Sequence, residues 1–461
     1  MQAEALGGSF RDPDGFVFNN EAGIFRQVNQ SYKQEYQHLM DSGLYAACIR
    51  QQFLIPHTVT ALAPIKEAGH LVIQPEQIPF ISYPYEWSFS QLKDAALLTL
   101  QIQEEALKHG MTLKDASSYN IQFLRGKPIF IDTLSFAFYQ EGKPWAPYKQ
   151  FCEHFLIPLA LMTHTETSLN KLLLTDLEGI PLSLGSKLLP LHTYLRFGLL
   201  LHVHLHAIAQ KRAFSNLTDQ YKGTNRVMPK NALLQLFRSL RSTIRSLTWK
   251  PSQTLWADYY SHTNYQIAAM SQKEQAVEFL LNNVKPATVW DLGSNTGKFS
   301  KIAAASGAEV IAMDFDIGAT ELHYLQNKEQ NLQKILPLIM DITQPSPAIG
   351  WRNKERASLT DRSKPEMILA LALIHHLAIS RNIPLLEIAS YLAELSSNII
   401  IEFIPKSDSQ VKRLLISRED IFPQYTQSEF EKAFSTKFSI LEKIALQDSE
   451  RTLYLMTRHH A

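Results

Sequence analysis

Residues 289 to 300 read VWDLGSNTGKFS, and few folds accommodate that order. An apolar run ends on an acid, Asp291. Two glycines, Gly293 and Gly297, follow four positions apart, and a helix-forming stretch comes next. Gly293 lets the backbone leave a strand with unusual torsions. Gly297 lets it pass close to a ligand, while the helix presents free N–H groups. Strand, glycine turn and helix in that order form one unit of an α/β sheet.

The rhythm around the turn agrees. TVWDL, EVIAMDF, ILPLIMDI, MILALALI and NIIIEFI are apolar runs separated by helix-length spacers. Five such strands predict a mostly parallel sheet covered on both faces. The turn is not the dinucleotide pattern G-x-G-x-x-G, because an acid stands inside it. Asp291 would repel a pyrophosphate and suits a cationic ligand. An acid followed by G-x-x-x-G resembles the first motif of the class I S-adenosylmethionine-dependent methyltransferases. The resemblance implies an α/β, Rossmann-like doubly wound domain over 270–461, S-adenosyl-L-methionine as cofactor, and methyl transfer. It assigns Asp291 and the Gly293–Gly297 loop, with Ser294 and Asn295, to the methionine end of the cofactor. Asp314 falls to the ribose and Asp341 to the adenine. Asp316 is a rival for the ribose, since DFD offers two acids.

In that fold the acceptor lies past the fourth strand. MILALALI runs into His375 and His376, either of which could take a proton; the blander role is to pack the loop. Glu402, in the fifth strand, is the other candidate, set against a structural hydrogen bond. Upstream of the first motif stand Trp256, Tyr259, Tyr260 and Tyr265. They would close over the cofactor, with Tyr265 touching it, or else pack an interdomain seam. The tract from 346 to 365 carries Arg352, Arg356 and Arg362. It is a surface loop or, if it faces the site, a feature favouring an anionic acceptor.

The other half is less explicit. GFVFNN, AGIFRQV, HLVIQ and PFISYPY read as strands, with a helix from Ser31 to Arg50 between them. Ser90 to His109 reads as a long amphipathic helix ending at Gly110. NIQFL and PIFIDTL read as a hairpin joined by RGK. Asp115 and Asn120 have Asp-x-x-x-x-Asn spacing, and Asp132 follows the hairpin. This resembles the catalytic segment of kinase-like folds, in which the first Asp is a base and the other two bind metal. Departures are clear. No glycine-rich phosphate loop opens the chain. Lys66 is the nearest option for the third-strand lysine, because Arg26 carries the wrong chemistry. Thr133-Leu134 stands where Phe-Gly would follow. In the bland alternative, Asp115 and Asn120 hold a turn.

These patterns predict an α+β, kinase-like domain over 1–165, a helical connector with the aromatic lid over 166–269, and the methyltransferase domain over 270–461. Ala232 to Leu247 reads as a basic amphipathic helix, and Lys211 to Arg226 as a loop. His202, His204 and His206 lie in an apolar helix. The first and last share a face, as zinc ligands do, yet no third ligand is evident, so no metal site is assigned.

Lys+Arg total 45 and Asp+Glu 44, a net +1, which gives no reason to expect general binding to nucleic acid or anionic membranes. Two cysteines exclude a disulfide scaffold and fit a reducing cytosol. No signal peptide is visible and no apolar stretch reaches membrane-span length. The expected function is methyl transfer to an unidentified acceptor, with the N-terminal half holding or selecting substrate. The alternatives are a non-catalytic adaptor and a bifunctional enzyme that also transfers phosphate.

Overall fold

The computed structural model describes residues 4–215, 227–251, 267–416, 419–447 and 449–459. The chain forms two compact units. Unit one is Met1–Lys250 with Ala348–Ala357, and unit two is Pro251–Pro347 with Ser358–Ala461.

Unit one begins with strands β1 (Glu4–Ala5), β2 (Gly15–Asn20), β3 (Gly23–Asn29), β4 (His57–Val59) and β5 (Gly69–Pro75), paired antiparallel in the order β1-β2-β3-β5-β4. Alternation buries Phe16, Phe18 and Phe25 with Val72 in one cluster, and Val28, Tyr32, Tyr36 and Ile73 in another. The helix expected over Ser31–Arg50 is broken in two, Lys33–Asp41 and Leu44–Arg50, because Gly43 turns the chain at φ 83°. PFISYPY is not a strand. Its backbone donors go to side chains: Ser82 N–H to Gln122 at 2.9 Å and Tyr83 N–H to Glu86 at 2.9 Å. Pro79 and Pro84 have no N–H to give a ladder.

The helix Phe89–Lys108 starts at a Ser88–Gln91 capping box, and Gly110, at φ 74°, follows its end. Next come β6 (Met111–Leu113), β7 (Ile121–Leu124), β8 (Lys127–Phe130) and β9 (Phe136–Phe138), paired β6·β9 and β7·β8. Arg125 and Gly126, both left-handed, make the β7–β8 turn.

The described residues between 166 and 250 are largely helical, but they are not a separate connector. They belong to unit one because they bury apolar surface there. The helix Lys230–Ser246 seats Leu233, Phe237, Leu240 and Ile244 in the core, with Phe237 edge-on to Trp145 at 5.0 Å. Lys93 Nζ donates to the carbonyls of Arg245 at 3.1 Å and Leu247 at 2.7 Å near that helix's end. The loop expected over Lys211–Arg226 starts later, since helix runs to Ser215; 216–226 lie outside the described residues.

Unit two holds β10 (Thr288–Leu292), β11 (Glu309–Asp314), β12 (Ile335–Ile339), β13 (Met367–Ala370), β14 (Asn398–Phe403), β15 (Phe438–Ala445) and β16 (Thr452–Arg458), in the order β12-β11-β10-β13-β14-β16-β15. The five expected strands are parallel, and β16 runs antiparallel between β14 and β15. The order reverses between β10 and β13, which opens a crevice at their C-terminal ends. This is a Rossmann-like, doubly wound sheet that ends in an antiparallel pair.

Phe237→Ala would leave a cavity facing Trp145. We expect it to cost about 3–5 kcal/mol of unit-one stability, read by denaturant unfolding. An unchanged midpoint would mean that the 230–246 helix is peripheral.

Candidate functional site

The crevice of unit two holds a cavity lined by Asp291, Gly293, Ser294, Asn295 and Asp314 on one side and by Leu371, Ala372, Leu373 and His376 on another. Met270, Lys273, Phe299 and Phe315 complete it. Gly293 leaves β10 at φ 74°, and Asn295 also takes a left-handed turn, at φ 51°. The turn is pinned from the neighbouring strand. Gly293 and Ser294 N–H donate to Met313 O at 2.8 and 3.1 Å, and Asn295 N–H donates to Asp314 Oδ2 at 2.8 Å.

Two buried carboxylates therefore share one cavity. Asp291 Oδ2 accepts from the Ser300 hydroxyl at 2.6 Å. Burial, with help from Asp314, pushes the Asp291 carboxyl up to about 6. Burial likewise pushes Asp314 up to about 6, although the N–H groups of Asp316 and Asn295 favour its charged form. Such groups bind a proton more tightly folded than unfolded. The stability they contribute is therefore present below about pH 4 and lost as pH rises through about 6. A bound cation would reverse that loss.

Gly297 plays another part than expected. It does not line the cavity. At φ 81° it leads into the helix Lys298–Ala305, and a Cβ there would sit 1.9 Å from Nε2 of His323. The glycine is needed for packing against that imidazole. Asp316 is spent as the N-cap of the helix Ile317–Glu329, accepting from Ala319 N–H at 2.9 Å, so Asp314 is the acid that faces the cavity. Asp341 lies two residues beyond β12 and does not line the cavity. It accepts from Thr343 N–H at 2.9 Å and pairs with Arg381 at 3.1 Å.

The three catalytic candidates separate. His376 lines the cavity, and burial pulls it down to about 4, so it is neutral at pH 7. His375 is buried behind it, the two rings 4.1 Å apart. Glu402 is fully buried and engaged. Its Oε2 accepts from Lys273 at 2.7 Å and from Ala372 N–H at 2.7 Å, and Arg451 lies 3.7 Å from Oε1. It is a structural anchor, not a proton acceptor open to substrate. Tyr265, Trp256, Tyr259 and Tyr260 lie outside the described residues.

Lys273 and Phe315 were missed. Lys273 stands on the apolar stripe of the helix Ile267–Val284, in step with Met270, Val277 and Leu280, and a cation there is a signal in itself. Phe315 follows Asp314 at the cavity and is 56% exposed.

Unit one brings its own constellation together. Asp115 accepts from Ser117 N–H at 2.8 Å and its carboxyl is hydrogen-bonded by the Asn120 side chain. Asn120 also donates to Ser135 at 3.3 Å, and Ser135 bonds Asp132. Arg26, on β3, forms ion pairs with Asp132 and with Asp12. Lys66 instead lies over the Phe16 ring at 4.4 Å.

Two of the three histidines are satisfied by hydroxyls. His202 bonds Tyr148 and Ser239, each at 2.8 Å; His204 bonds Ser186 at 2.8 Å and Thr193 at 2.9 Å. His206 stacks on Tyr148 at 4.6 Å. Among the described residues no group of three or more acids, histidines and cysteines is placed to hold a metal. Arg352 and Arg356 belong to unit one, whereas Arg362 is buried in unit two.

No protein-family model matches the chain. Over nearly its whole length it is similar to nodulation protein NoeA of Rhizobium meliloti (strain 1021): 35% identical over 464 residues, covering 98% of this chain and 96% of that one. The chain belongs to the NoeA family. That name links the relative to nodulation and states no reaction. Solved structures resemble parts of the NoeA-family chain. Magnesium protoporphyrin IX methyltransferase ChlM from Synechocystis PCC 6803, with bound SAH, is 16% identical over 44% of this chain and 93% of ChlM, at a TM-score of 0.32. N-methyltransferase NodS from Bradyrhizobium japonicum WM9 is 11% identical over 42% of this chain and 99% of NodS, at 0.33. The bifunctional kinase-methyltransferase WbdD is 16% identical over 48% of this chain and 46% of WbdD, at 0.31. At such TM-scores the fold of the NoeA-family chain rests on its strand order and cavity.

Glu402→Gln would leave Lys273 and Arg451 buried without their shared anion. We expect it to cost about 3–5 kcal/mol in unfolding experiments. A proton acceptor with no anchoring role would leave stability at the wild-type level.

Proposed function

We propose that this NoeA-family chain binds S-adenosylmethionine in the crevice of unit two and transfers its methyl group to an acceptor that unit one holds or selects. One observation carries the reading: Asp291, Asp314 and the Gly293–Asn295 turn line a single cavity. When bound, the cofactor supplies an electrophilic methyl group on a sulfonium.

The residues have the chemistry to hold it. Asp291 meets the ammonium as a buried anion whose charge is only partly answered by Ser300. The Asp314 oxygens accept backbone N–H groups, those of Asn295 and Asp316 among them, and still line the cavity, where two adjacent ribose hydroxyls would donate to them. Phe315 offers an exposed aromatic face to the adenine, a role that Asp341 is badly placed to fill. His376, neutral and at the cavity wall, can accept a hydrogen bond from the acceptor's nucleophile. With a pKa near 4 it orients that group better than it deprotonates it.

Two alternatives stand apart. An adaptor would bind partners without consuming cofactor, so turnover separates it from the enzyme. Phosphotransfer in unit one is opposed by Arg26, whose guanidinium occupies the Asp132 carboxylate that a metal would need.

Calorimetry with S-adenosylmethionine is the direct test. Asp314→Ala is expected to weaken binding at least ~30-fold, about 2 kcal/mol; wild-type affinity in that variant would overturn the site. Because the cation needs both carboxylates charged, affinity should be flat above pH 7. Below about 6 it should fall by up to about tenfold per unit for each group. Asp291→Asn removes a buried charge. It should abolish binding yet raise the melting temperature of the ligand-free protein at pH 7.5 by a few degrees. A lowered melting temperature would show that the Asp291 charge stabilises the empty fold.

A further inference from the structure

Unit one carries an apolar face that its own fold leaves bare. Leu191, Leu195 and Phe197 are 84%, 89% and 75% exposed. The face continues along the next helical segment through Leu201, Leu205 and Ile208, all exposed and spaced four, four and three residues apart from Phe197 onward. Leu184 and Leu188, one turn apart on the helix Leu182–Leu188, extend it. His204 ties these segments into one surface. It bonds Ser186 at 2.8 Å and Thr193 at 2.9 Å, and the Tyr194 ring stacks on it at 3.7 Å. Isolated exposed leucines are ordinary, but a joined patch of this kind marks an interaction site.

The charges say which kind. From Gly179 to Ser215 the chain has no Asp or Glu, whereas Lys187, Arg196, Lys211 and Arg212 are all present and exposed. A net charge of +1 for the whole chain conceals this local bias. Pairing the face with a second copy of itself would set these cations against their equivalents with no acid between them. An anionic lipid surface answers both features: apolar side chains enter the acyl boundary and cations meet headgroups. No described helix is long and apolar enough to cross a membrane, so the attachment is to one leaflet.

We propose that residues 182–212 dock unit one onto an anionic lipid surface. The inference stands independently of the methyl-transfer reading. The test is co-sedimentation of the full-length protein with vesicles of phosphatidylcholine alone or with about 30% phosphatidylglycerol. Binding is expected to the anionic vesicles, weakening at least ~fivefold as salt rises from about 0.1 to about 0.5 M. The double variant Leu195→Glu, Phe197→Glu changes two exposed side chains. It should keep the wild-type circular dichroism and melting temperature while losing at least ~tenfold in vesicle affinity. Wild-type protein left in the supernatant with both vesicle types would overturn the proposal. So would equal vesicle binding by the variant, or wild-type self-association in light scattering that the variant abolishes.

Discussion

The candidate site in unit two depends on one buried carboxylate. Glu402 lies on β14, an interior strand of the sheet, out of water, and three groups converge on it. Lys273 comes from the helix Ile267–Val284, the Ala372 N–H from the turn after β13, and Arg451 from the approach to β16. Arg451 is held in turn by Asp408 at 2.8 Å. A buried ion pair adds little net stability over apolar packing, because desolvation cancels most of the attraction. What it supplies here is position. Ala372 is held at φ 51°, a left-handed torsion that a non-glycine residue adopts only under constraint, and Ala372 lines the cavity. The anchor thus places one wall of the crevice, and through Lys273 it sets a cation near Asp291.

The opposite wall follows similar logic. Asp314 is both mortar and candidate ligand: its oxygens hold the Asn295 and Asp316 N–H groups and still face the cavity. Asp291 is bound to the first turn of the helix Lys298–Ala305 through Ser300. Burial raises the pKa of both acids, and Asp314 raises that of Asp291 further, which destabilises the empty fold near neutral pH. A fold that keeps this strain at one crevice is poised for a cation, because a positive ligand relieves it.

The parts of this legible in the sequence were those encoded locally. The five parallel strands, the Gly293 turn and the acids at strand ends depend on neighbours in the chain, and periodicity exposes them. Gly297 was misread because its partner, His323, lies on the following helix, and only packing shows that the imidazole fills the space of a side chain. Glu402 stays open in the sequence between base and structural hydrogen bond because its three partners arrive from distant segments. Strands β15 and β16 escaped notice. FSILEKIA exposes one face as an edge strand, so it lacks the continuous apolar run that marked the others. In unit one the Asp115, Asn120 and Asp132 spacing did identify residues that cluster. Arg26 was set aside for its chemistry and yet is the cation that meets Asp132.

The division into units also departs from the linear order, for a physical reason. Between β12 and β13 the chain leaves unit two and gives Ala348–Ala357 to unit one. There Glu355, buried, accepts both arms of the Arg11 guanidinium at 2.9 and 2.7 Å as well as Trp351 N–H at 2.6 Å. Arg356 lies over the Tyr119 ring at 4.3 Å, and Ala357 N–H donates to the Tyr83 hydroxyl at 2.8 Å. Tyr119 sits in the segment that links Asp115 to Asn120. A buried carboxylate shared by Arg11 and a short excursion from the other half is costly to break. Residues 1–250 alone would lack Glu355 and leave Arg11 only its longer contact to Glu178, at 3.9 Å. No single cut separates the units, and residues 348–357 of the polar tract belong to the N-terminal unit while the rest of it stays with unit two.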